Sequence, residues 1–365
     1  GLEGWASRLR AAADGPRLAY VCYTSGSTGE PKGCAVERRA LAAYAVANAA
    51  AHGVARGCRV LLASAVSFDP SIGEAFTALC AGATLVLPPL REVRGSLDTA
   101  LARTSSTHVT TTPAVWATVP LSAAPTLRAS LRCDLLTSPH ISPYLPISPH
   151  ISRCFGSAPG ACYGCFLHKS IRCVALGGEP MPPQMLAAWA AEVPLYNVYG
   201  VTECTVYQAS RRVAPPPLAP GGGADLSAAA AEARLLGRPL STCGLEIVDA
   251  SSRPVASPGE GQLVITGRQL ARGYLHLPHR TASAFVLLAD GRRAYLTGDL
   301  ARREEGGELV LLGRVDRQVK LGGVRIELDE IEAVVGRHGL VARCAALAAS
   351  ALAAAALTAA PVATT

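Results

Sequence analysis

Short apolar runs alternate with stretches of helical composition over the first 200 residues. The runs at 18–24, 59–66, 83–89, 107–112, 171–178 and 193–200 have the length of strands, while 39–52, 71–82 and 181–192 have helical composition. This alternation predicts an α/β fold with a mostly parallel sheet flanked by helices. After residue 235, the short runs at 243–250, 259–267 and 307–314 are separated by turn residues and predict a β-rich part.

The segment 128–170 fits neither pattern. It repeats the pentad SPHIS at 138–142 and 148–152, which predicts a low-complexity disordered insert or non-coding sequence translated in error. Cys154, Cys162, Cys165 and His168 have a spacing that a zinc site could use. A chance match within low-complexity sequence is the alternative.

Composition narrows the class of protein. The 365 residues are half apolar and carry a net charge of +7 spread along the chain, which predicts two or three packed units and no nucleic-acid surface. No apolar run reaches the roughly 20 residues of a membrane span, and no signal peptide is visible. Twelve scattered cysteines favour a reducing compartment, so we expect a cytoplasmic protein without membrane partners. The first residue is glycine, which suggests a fragment.

The stretch YTSGSTGEPKG at 23–33 is the first candidate for chemistry. Its glycines allow backbone N–H groups to approach phosphate oxygens, the four Ser and Thr hydroxyls add donors, and Lys32 adds a positive charge. Pro31 and Gly33 flank this lysine, so the stretch is not a Walker A loop and a generic P-loop ATPase is disfavoured. The alternative to a phosphate-binding loop is a flexible surface turn.

Four further motifs follow in order: GGEP (177–180), YNVYGVTE (196–203), YLTGDL (295–300) and GRVDRQVKLGGVRIELDEIE (313–332). Together the five motifs resemble those of the adenylate-forming (AMP-binding) superfamily, within it the adenylation domains of nonribosomal peptide synthetases, over 15–127 and 171–335. The resemblance implies a truncated adenylate-forming fold with an α/β core subdomain (1–207), a β-rich subdomain (208–313) and an incomplete C-terminal lid with an Ala-rich tail (314–365). It implies that MgATP and a carboxylate give an acyl-adenylate and pyrophosphate, before acyl transfer to a thiol.

The resemblance also implies residue roles. Thr202, Glu203 and Lys320 would be catalytic, with Glu203 holding Mg²⁺ and Asp316 acting as the lid hinge. The implied ATP-binding residues are Thr24, Ser25, Gly26, Ser27, Thr28, Gly29, Lys32, Gly177, Gly178, Glu179, Pro180, Asn197, Tyr199, Gly200, Thr202, Asp299 and Arg314. Simpler readings remain open: Glu203 as a helix-start carboxylate, Asp299 as a turn residue, and Arg314 and Lys320 as solvated charges.

The implied substrate pocket contains one acidic residue. Asp69 falls at the position that accepts a substrate amino group, and a buried ammonium needs such a partner. A helix N-cap is the alternative role for Asp69. The other lining positions are Phe68, Pro70, Gly73, Thr110, Ala175, Gly177, Val198, Val206 and Tyr207. They include no second charge, so we expect an amino acid without another strongly charged group. The amino-acid residues within the motifs are most similar to those of the β-alanine-activating relatives of aminoadipate-semialdehyde dehydrogenase.

Three departures from the family pattern stand out. The early motifs of the family are absent, Leu311 stands where an aromatic residue is common, and no lysine follows Lys320. The family's late lid lysine neutralises charge at the reacting phosphate, so its loss predicts adenylation slowed by a few kcal/mol of barrier. The alternative function is therefore a non-catalytic remnant that binds ATP or AMP. If active, the chain would pass its amino acid to phosphopantetheine on a carrier protein or domain.

Overall fold

The computed structural model describes residues 17–25, 31–124, 171–321, 324–335, 337 and 344–347. Residues 26–30 of the glycine-rich stretch lie outside this range, and they include the predicted Gly26, Ser27, Thr28 and Gly29. The predicted insert at 128–170, with its zinc-ligand candidates, also lies outside it.

Strands make up most of the regular structure. In chain order they are β1 (Leu18–Thr24), β2 (Lys32–Glu37), β3 (Arg59–Leu61), β4 (Thr84–Val86), β5 (His108–Thr111), β6 (Cys173–Gly177), β7 (Leu195–Tyr199), β8 (Ala209–Arg212), β9 (Arg238–Pro239), β10 (Cys243–Val248), β11 (Gly259–Gly267), β12 (Gly273–Tyr274), β13 (Phe285–Leu287), β14 (Arg293–Arg303), β15 (Leu309–Arg314), β16 (Gln318–Leu321) and β17 (Val324–Glu327).

The helices in the described part of the chain are fewer than the strands. They are α1 (Arg38–His52), α2 (Asp69–Cys80), α3 (Leu90–Gly95), α4 (Leu97–Thr104), α5 (Pro113–Trp116), α6 (Pro183–Trp189), α7 (Leu226–Ala233), α8 (Pro278–Ala284) and α9 (Leu328–Val335). Short 3₁₀ turns occupy Leu121–Ala123 and Thr202–Cys204. Among the residues described, no helix combines the length and the apolar character that crossing a membrane requires.

Two compact units divide the chain. Unit 1 comprises Gly1–Ala43, Gly200–Gln208 and Ser241–Thr365, and unit 2 comprises Tyr44–Tyr199 and Ala209–Leu240. Each unit therefore collects segments that are distant in sequence. The three sequential parts expected from the motifs stay a prediction.

Unit 2 is built on a seven-stranded sheet in the order β4-β3-β5-β6-β7-β8-β9. The strand pairs from β4 to β7 are parallel. β8 pairs antiparallel with β7, and β9 pairs antiparallel with β8. All five residues of β6 are buried, as in a strand covered on both faces. Trp116 and Trp189 meet edge to face in the core, 5.1 Å between ring centroids. The predicted mostly parallel sheet is confirmed here.

Unit 1 contains antiparallel sheets. One has the order β1-β2-β12, a second has the order β10-β11-β14-β13 with β15 on β14, and β16 pairs with β17. The strand expected at 18–24 is present as β1, but it pairs antiparallel with β2, with Thr24 opposite Lys32. Its place in the predicted parallel sheet is therefore wrong. A parallel partner would need a long crossover connection, and the loop between Thr24 and Lys32 is too short for one.

Several elements escaped the sequence pattern. Every residue of β2 is buried, so that strand has no alternation of polar and apolar positions. The runs at 59–66 and 83–89 form strands only over three residues each, Arg59–Leu61 and Thr84–Val86. For β14, the longest strand described, the sequence pattern indicated only the YLTGDL motif and not a strand.

A buried carboxyl group joins α2 to the end of β3. Glu74 is 4% exposed and accepts hydrogen bonds from the backbone N–H groups of Ala63 and Ser64, at 3.0 and 3.3 Å. The Ser64 hydroxyl donates to its other oxygen at 2.7 Å. Burial raises the pKa of Glu74 to about 8, and these hydrogen bonds oppose the shift.

Glu74→Gln tests this burial. Between the ordinary glutamate pKa and about 8, the folded state holds the proton more tightly than the unfolded chain. The stability that the bound proton contributes to the folded state is fully present below the ordinary glutamate pKa. It is lost as the pH rises towards 8. Glutamine cannot ionise, so the melting temperature of the variant relative to wild type should rise from pH 5 to pH 8. Thermal unfolding followed by circular dichroism measures this, with the exposed Glu305→Gln as control. A difference that stays constant with pH would contradict it.

Candidate functional site

Lys32, Tyr274 and Glu203 form a buried polar group in unit 1. The Tyr274 hydroxyl donates to Glu203 Oε1 at 2.9 Å, and Lys32 Nζ lies 5.2 Å from the centroid of the same tyrosine ring. Lys32 is 8% exposed, Tyr274 7% and Glu203 0%. One aromatic residue thus contacts both the glycine-rich-loop lysine and the acidic residue of the YGVTE motif. Sequence reasoning missed Tyr274; a tyrosine after arginine and glycine carries no signal of its own.

The segment 200–208 holds Glu203 in a constrained turn. A Cβ at Gly200 would lie 2.1 Å from the Val206 carbonyl oxygen, so only glycine fits. Thr205 and Val206 have φ of 67° and 68°, a backbone region that residues other than glycine rarely adopt. Gln208 supports the turn: its side chain accepts from the Val201 N–H and donates to the carbonyls of Cys204 and Thr205.

Neighbouring elements of unit 1 fix the same turn. The Glu203 carbonyl accepts from the Ala271 N–H at 2.9 Å, and the buried Thr205 hydroxyl donates to the Gln269 carbonyl at 2.7 Å. The Cys34 thiol donates to the Thr202 carbonyl at 3.5 Å. Glu203 is fully buried in the first turn of the 3₁₀ helix Thr202–Cys204, in which Thr202 is half-buried, and its alternative role as a helix-start carboxylate stays open. Local strain held by so many contacts is typical of functional sites.

Asp299 lies at an irregularity in β14. The register against β11 shifts between Gln262 and Val264, which face Leu300 and Leu296. Within this bulge the Thr297 hydroxyl donates to the Leu263 carbonyl and accepts from the Asp299 N–H. Bulges re-aim side chains. Asp299 is therefore a strand residue, not the turn residue that the alternative proposed.

Arg314 forms ion pairs with Asp299 and with Asp316. Arg314 Nη1 donates to Asp299 Oδ1 at 2.7 Å, and Arg314 also binds Asp316 through two hydrogen bonds of 2.6 and 2.8 Å. The Arg314 side chain is only 14% exposed, so the reading as a solvated charge is wrong for it. Gly298 permits this packing, because it has φ +75° and its Cβ would lie 2.6 Å from Arg314 Nη2.

The strands β5, β6 and β7 of unit 2 bring four predicted pocket residues together. Thr110 and Ala175 are direct partners, as are Gly177 and Val198, and Tyr199 ends β7. The carboxyl edge of adjacent parallel strands is where α/β folds commonly bind ligands. The residues after β6 continue from this edge, with Gly178 at φ +86° followed by Glu179 and Pro180.

Asp69 begins α2 in the same unit. The N-cap is Phe68, which makes no side-chain capping bond, and Asp69 is the first helical residue, 2% exposed. Its alternative role as the N-cap is therefore wrong. Pro70 and Gly73 are buried on this helix.

Other predicted residues have contacts within their own units. The Asn197 amide donates to the carbonyls of Ala233 and Leu235, both at 3.2 Å, and Glu179 Oε1 accepts from the Ala114 N–H at 2.6 Å. Lys320 is half-buried in β16, and Val206 and Tyr207 are buried. Thr24 ends β1, followed by Ser25. Their roles with ATP and substrate stay predictions.

Comparison with known proteins decides the family. The model of the AMP-binding enzyme family matches residues 4–275. The chain belongs to the AMP-binding enzymes. This AMP-binding enzyme is 36% identical over 334 residues to novobiocin biosynthesis protein H of Streptomyces niveus, covering 90% of the chain and 46% of that protein.

Solved structures agree. An adenylation domain of Vibrio cholerae, AlmE in complex with glycyl-adenosine-5'-phosphate, matches with a TM-score of 0.63 and 28% identity, over 89% of this chain and 53% of that one. A nonribosomal peptide synthetase protein with adenylation and PCP domains matches with a TM-score of 0.65 and 25% identity, over 91% and 50%. The fold is that of adenylate-forming enzymes. This AMP-binding enzyme spans less than half the length of the curated relatives it matches.

Tyr274→Phe tests the contact with Glu203. The phenyl ring can still lie under Lys32, but the carboxylate loses a donor that stabilises its charged form. We expect affinity for ATP with Mg²⁺ to fall about tenfold. Titration calorimetry measures this effect. The exposed Tyr23→Phe is the matched control, and unchanged binding in Tyr274→Phe would contradict the assigned contact.

Gly298→Ala tests the packing around Asp299. Gly291 has a similar φ of +79° but nothing within 4 Å of a Cβ, so Gly291→Ala isolates the backbone cost of about 1–2 kcal/mol. Gly298→Ala should lose more stability in denaturant unfolding, because Arg314 must also move. Only Gly298→Ala should weaken AMP binding. Equal losses in both variants would show that the arginine contact contributes nothing.

Proposed function

We propose that the chain activates an amino acid as an aminoacyl-adenylate. One observation carries the proposal: in unit 1 a loop lysine and a buried carboxylate contact the same tyrosine, Tyr274. The Tyr274 hydroxyl approaches that of Tyr295 at 3.4 Å, and Asp299 lies four residues farther along the same strand. Cationic, acidic and ribose-binding groups are the set that MgATP requires.

The chemistry assigned to these residues is nucleophilic displacement at phosphorus. A carboxylate oxygen of the amino acid attacks the α-phosphorus, the bond to the β-phosphate oxygen breaks, and pyrophosphate leaves. Lys32 and the loop at 24–29 oppose the charge that develops on the leaving group, and Thr202 donates to an α-phosphate oxygen. Asp299, oriented by Arg314, accepts the ribose hydroxyls. Gly177, Gly178, Glu179, Pro180, Asn197 and Tyr199 of unit 2, and Gly200 of unit 1, stay predicted nucleotide-binding residues.

Magnesium fits the donor set at Glu203. Among the described residues, no group of three or more His, Cys, Asp or Glu side chains could hold a metal ion by itself. Mg²⁺ needs no such cage, because it commonly keeps waters and is bound by one or two carboxylates with substrate phosphates. Glu203 would supply that carboxylate, and the ion would neutralise phosphate charge when bound.

Asp69 is proposed to bind the substrate ammonium in unit 2. A carboxylate buried to 2% at the start of α2 can balance an ammonium that loses its water shell. Phe68, Pro70, Gly73, Thr110, Ala175 and Val198 of unit 2 are the proposed lining, and Val206 and Tyr207 of unit 1 stay predictions from the resemblance. The preference for β-alanine or another short amino acid is part of this proposal.

The acyl group then passes to a carrier. The thiolate of a phosphopantetheine arm attacks the acyl carbon, the bond to the phosphate oxygen breaks, and AMP leaves. Solved relatives that combine adenylation and PCP domains support a carrier domain as partner. Lys320 in β16 and Asp316 before it are proposed to act in this second step, as lid residue and hinge. We propose that the reaction takes place in the cytoplasm, where thiols stay reduced.

Amino-acid-dependent exchange of pyrophosphate into ATP tests the function. Over an amino-acid panel that includes β-alanine, wild type should exchange and Glu203→Gln should not. Asp69→Asn should raise KM for the amino acid at least about tenfold, with little change in KM for ATP, since it removes a charged hydrogen-bond partner. ATP binding without exchange would instead support a nucleotide-binding remnant. Equal effects of Asp69→Asn on both KM values would exclude its pocket role.

A further inference from the structure

Unit 1 contains a cavity of about 710 Å³ lined mainly by arginine. Four of its seven lining residues are Arg39, Arg268, Arg292 and Arg293, and none of the described lining residues is acidic. The volume is within the range of small-molecule sites. None of the lining residues belongs to the proposed ATP or amino-acid sites.

The carboxylates near these arginines only partly balance them. Arg39 binds Glu37 at 2.6 Å, and Glu37 also binds Arg272 at 2.9 Å, so one carboxylate serves two guanidinium groups. Arg292 binds Glu246 and Asp290. With Arg268 and Arg293 of the cavity included, five arginines stand against these three carboxylates. This leaves two positive charges without a carboxylate.

Arg268 and Arg293 have no carboxylate partner among the described residues. The Arg268 side chain is exposed and takes part in no ion pair in that part of the chain. Arg293 donates to the carbonyls of Ala271 and Arg272, both at 2.8 Å, and stacks on Phe285 with its guanidinium carbon 4.5 Å from the ring centroid. These contacts hold the guanidinium in place and use only two of its five N–H donors.

Like charges repel within the cluster. Half-burial lowers the pKa of Arg293 most, and the positive charge of Arg39 also lowers it, against the opposite effects of Cys204 and Glu37. A bound anion would relieve this repulsion. The guanidinium group is suited to phosphate because its planar fork donates two parallel hydrogen bonds.

We propose that this cavity binds a small phosphate-bearing dianion, of the pyrophosphate or phosphate-monoester class. Two uncompensated charges match a dianion, and a fixed Arg293 beside the exposed Arg39 and Arg268 can surround it with donors. Ala271 connects the cavity to the 200–208 turn, since its carbonyl accepts from Arg293 and its N–H donates to the Glu203 carbonyl. An anion here would therefore lie against the support of the candidate active site.

Titration of the full chain with inorganic pyrophosphate, and separately with AMP, tests the site. Arg39→Gln with Arg268→Gln should weaken binding at this site about tenfold or more, with a smaller dependence on salt. The double variant should keep the ATP affinity and the pyrophosphate exchange of wild type. Arg253→Gln, an exposed arginine of the same unit outside the cavity, is the matched control.

Lys32→Ala separates the two sites. This variant should lose pyrophosphate binding at the candidate active site and keep it at the cavity. Whichever of pyrophosphate and AMP binds to Lys32→Ala and loses that binding when Arg39→Gln and Arg268→Gln are added identifies the ligand class. The proposal is overturned if adding these two substitutions to Lys32→Ala changes the binding of neither anion, if the double variant binds like wild type, or if Arg253→Gln loses as much affinity. Failure of exchange in wild type would refute the proposed function and leave this result standing.

Discussion

The hydrogen bond from the Tyr274 hydroxyl to the Glu203 carboxylate is the contact on which the candidate site depends. It joins β12 to the turn at 200–208, while β12 itself pairs with β2, the strand that Lys32 begins. A fully buried carboxylate is costly without a donor, so the hydroxyl and the acid constrain each other. Three segments that are distant in sequence are thereby held as one group.

Glycines at two positions allow a close approach that a larger residue would block, of backbone at Gly200 and of an arginine side chain at Gly298. Gly200 lets the chain of the YGVTE motif fold back against Val206, and Gly298 leaves room for Arg314 beside Asp299. Gly298 directly precedes Asp299, and Gly200 lies three residues before Glu203. The glycine and the acidic residue of each motif thus have separate roles. The glycine shapes the backbone, and the acidic residue supplies the charge.

The arginine cavity and the candidate active site use charge differently. At Glu203 a buried acid is satisfied by a neutral hydroxyl, with Lys32 contacting the ring of that same tyrosine. In the cavity, arginines outnumber their carboxylate partners, and the excess remains accessible to an anion. Both rest on the backbone around Ala271, which gives the two regions a shared physical support.

By itself the sequence was sufficient to predict the family and the mostly parallel sheet of unit 2, and to single out the residues of the five motifs. These depend on local pattern: short apolar runs between helical stretches, and glycines beside acids and hydroxyls at characteristic spacing. It could not reveal that 18–24 belongs to an antiparallel sheet, because β2 is buried throughout and shows no alternation. Only the tertiary structure placed Tyr274 against Glu203, shielded Arg314 and gathered arginines from α1, β14 and the segment after β11 around one cavity. Those contacts join residues far apart in the chain, and no local pattern encodes them.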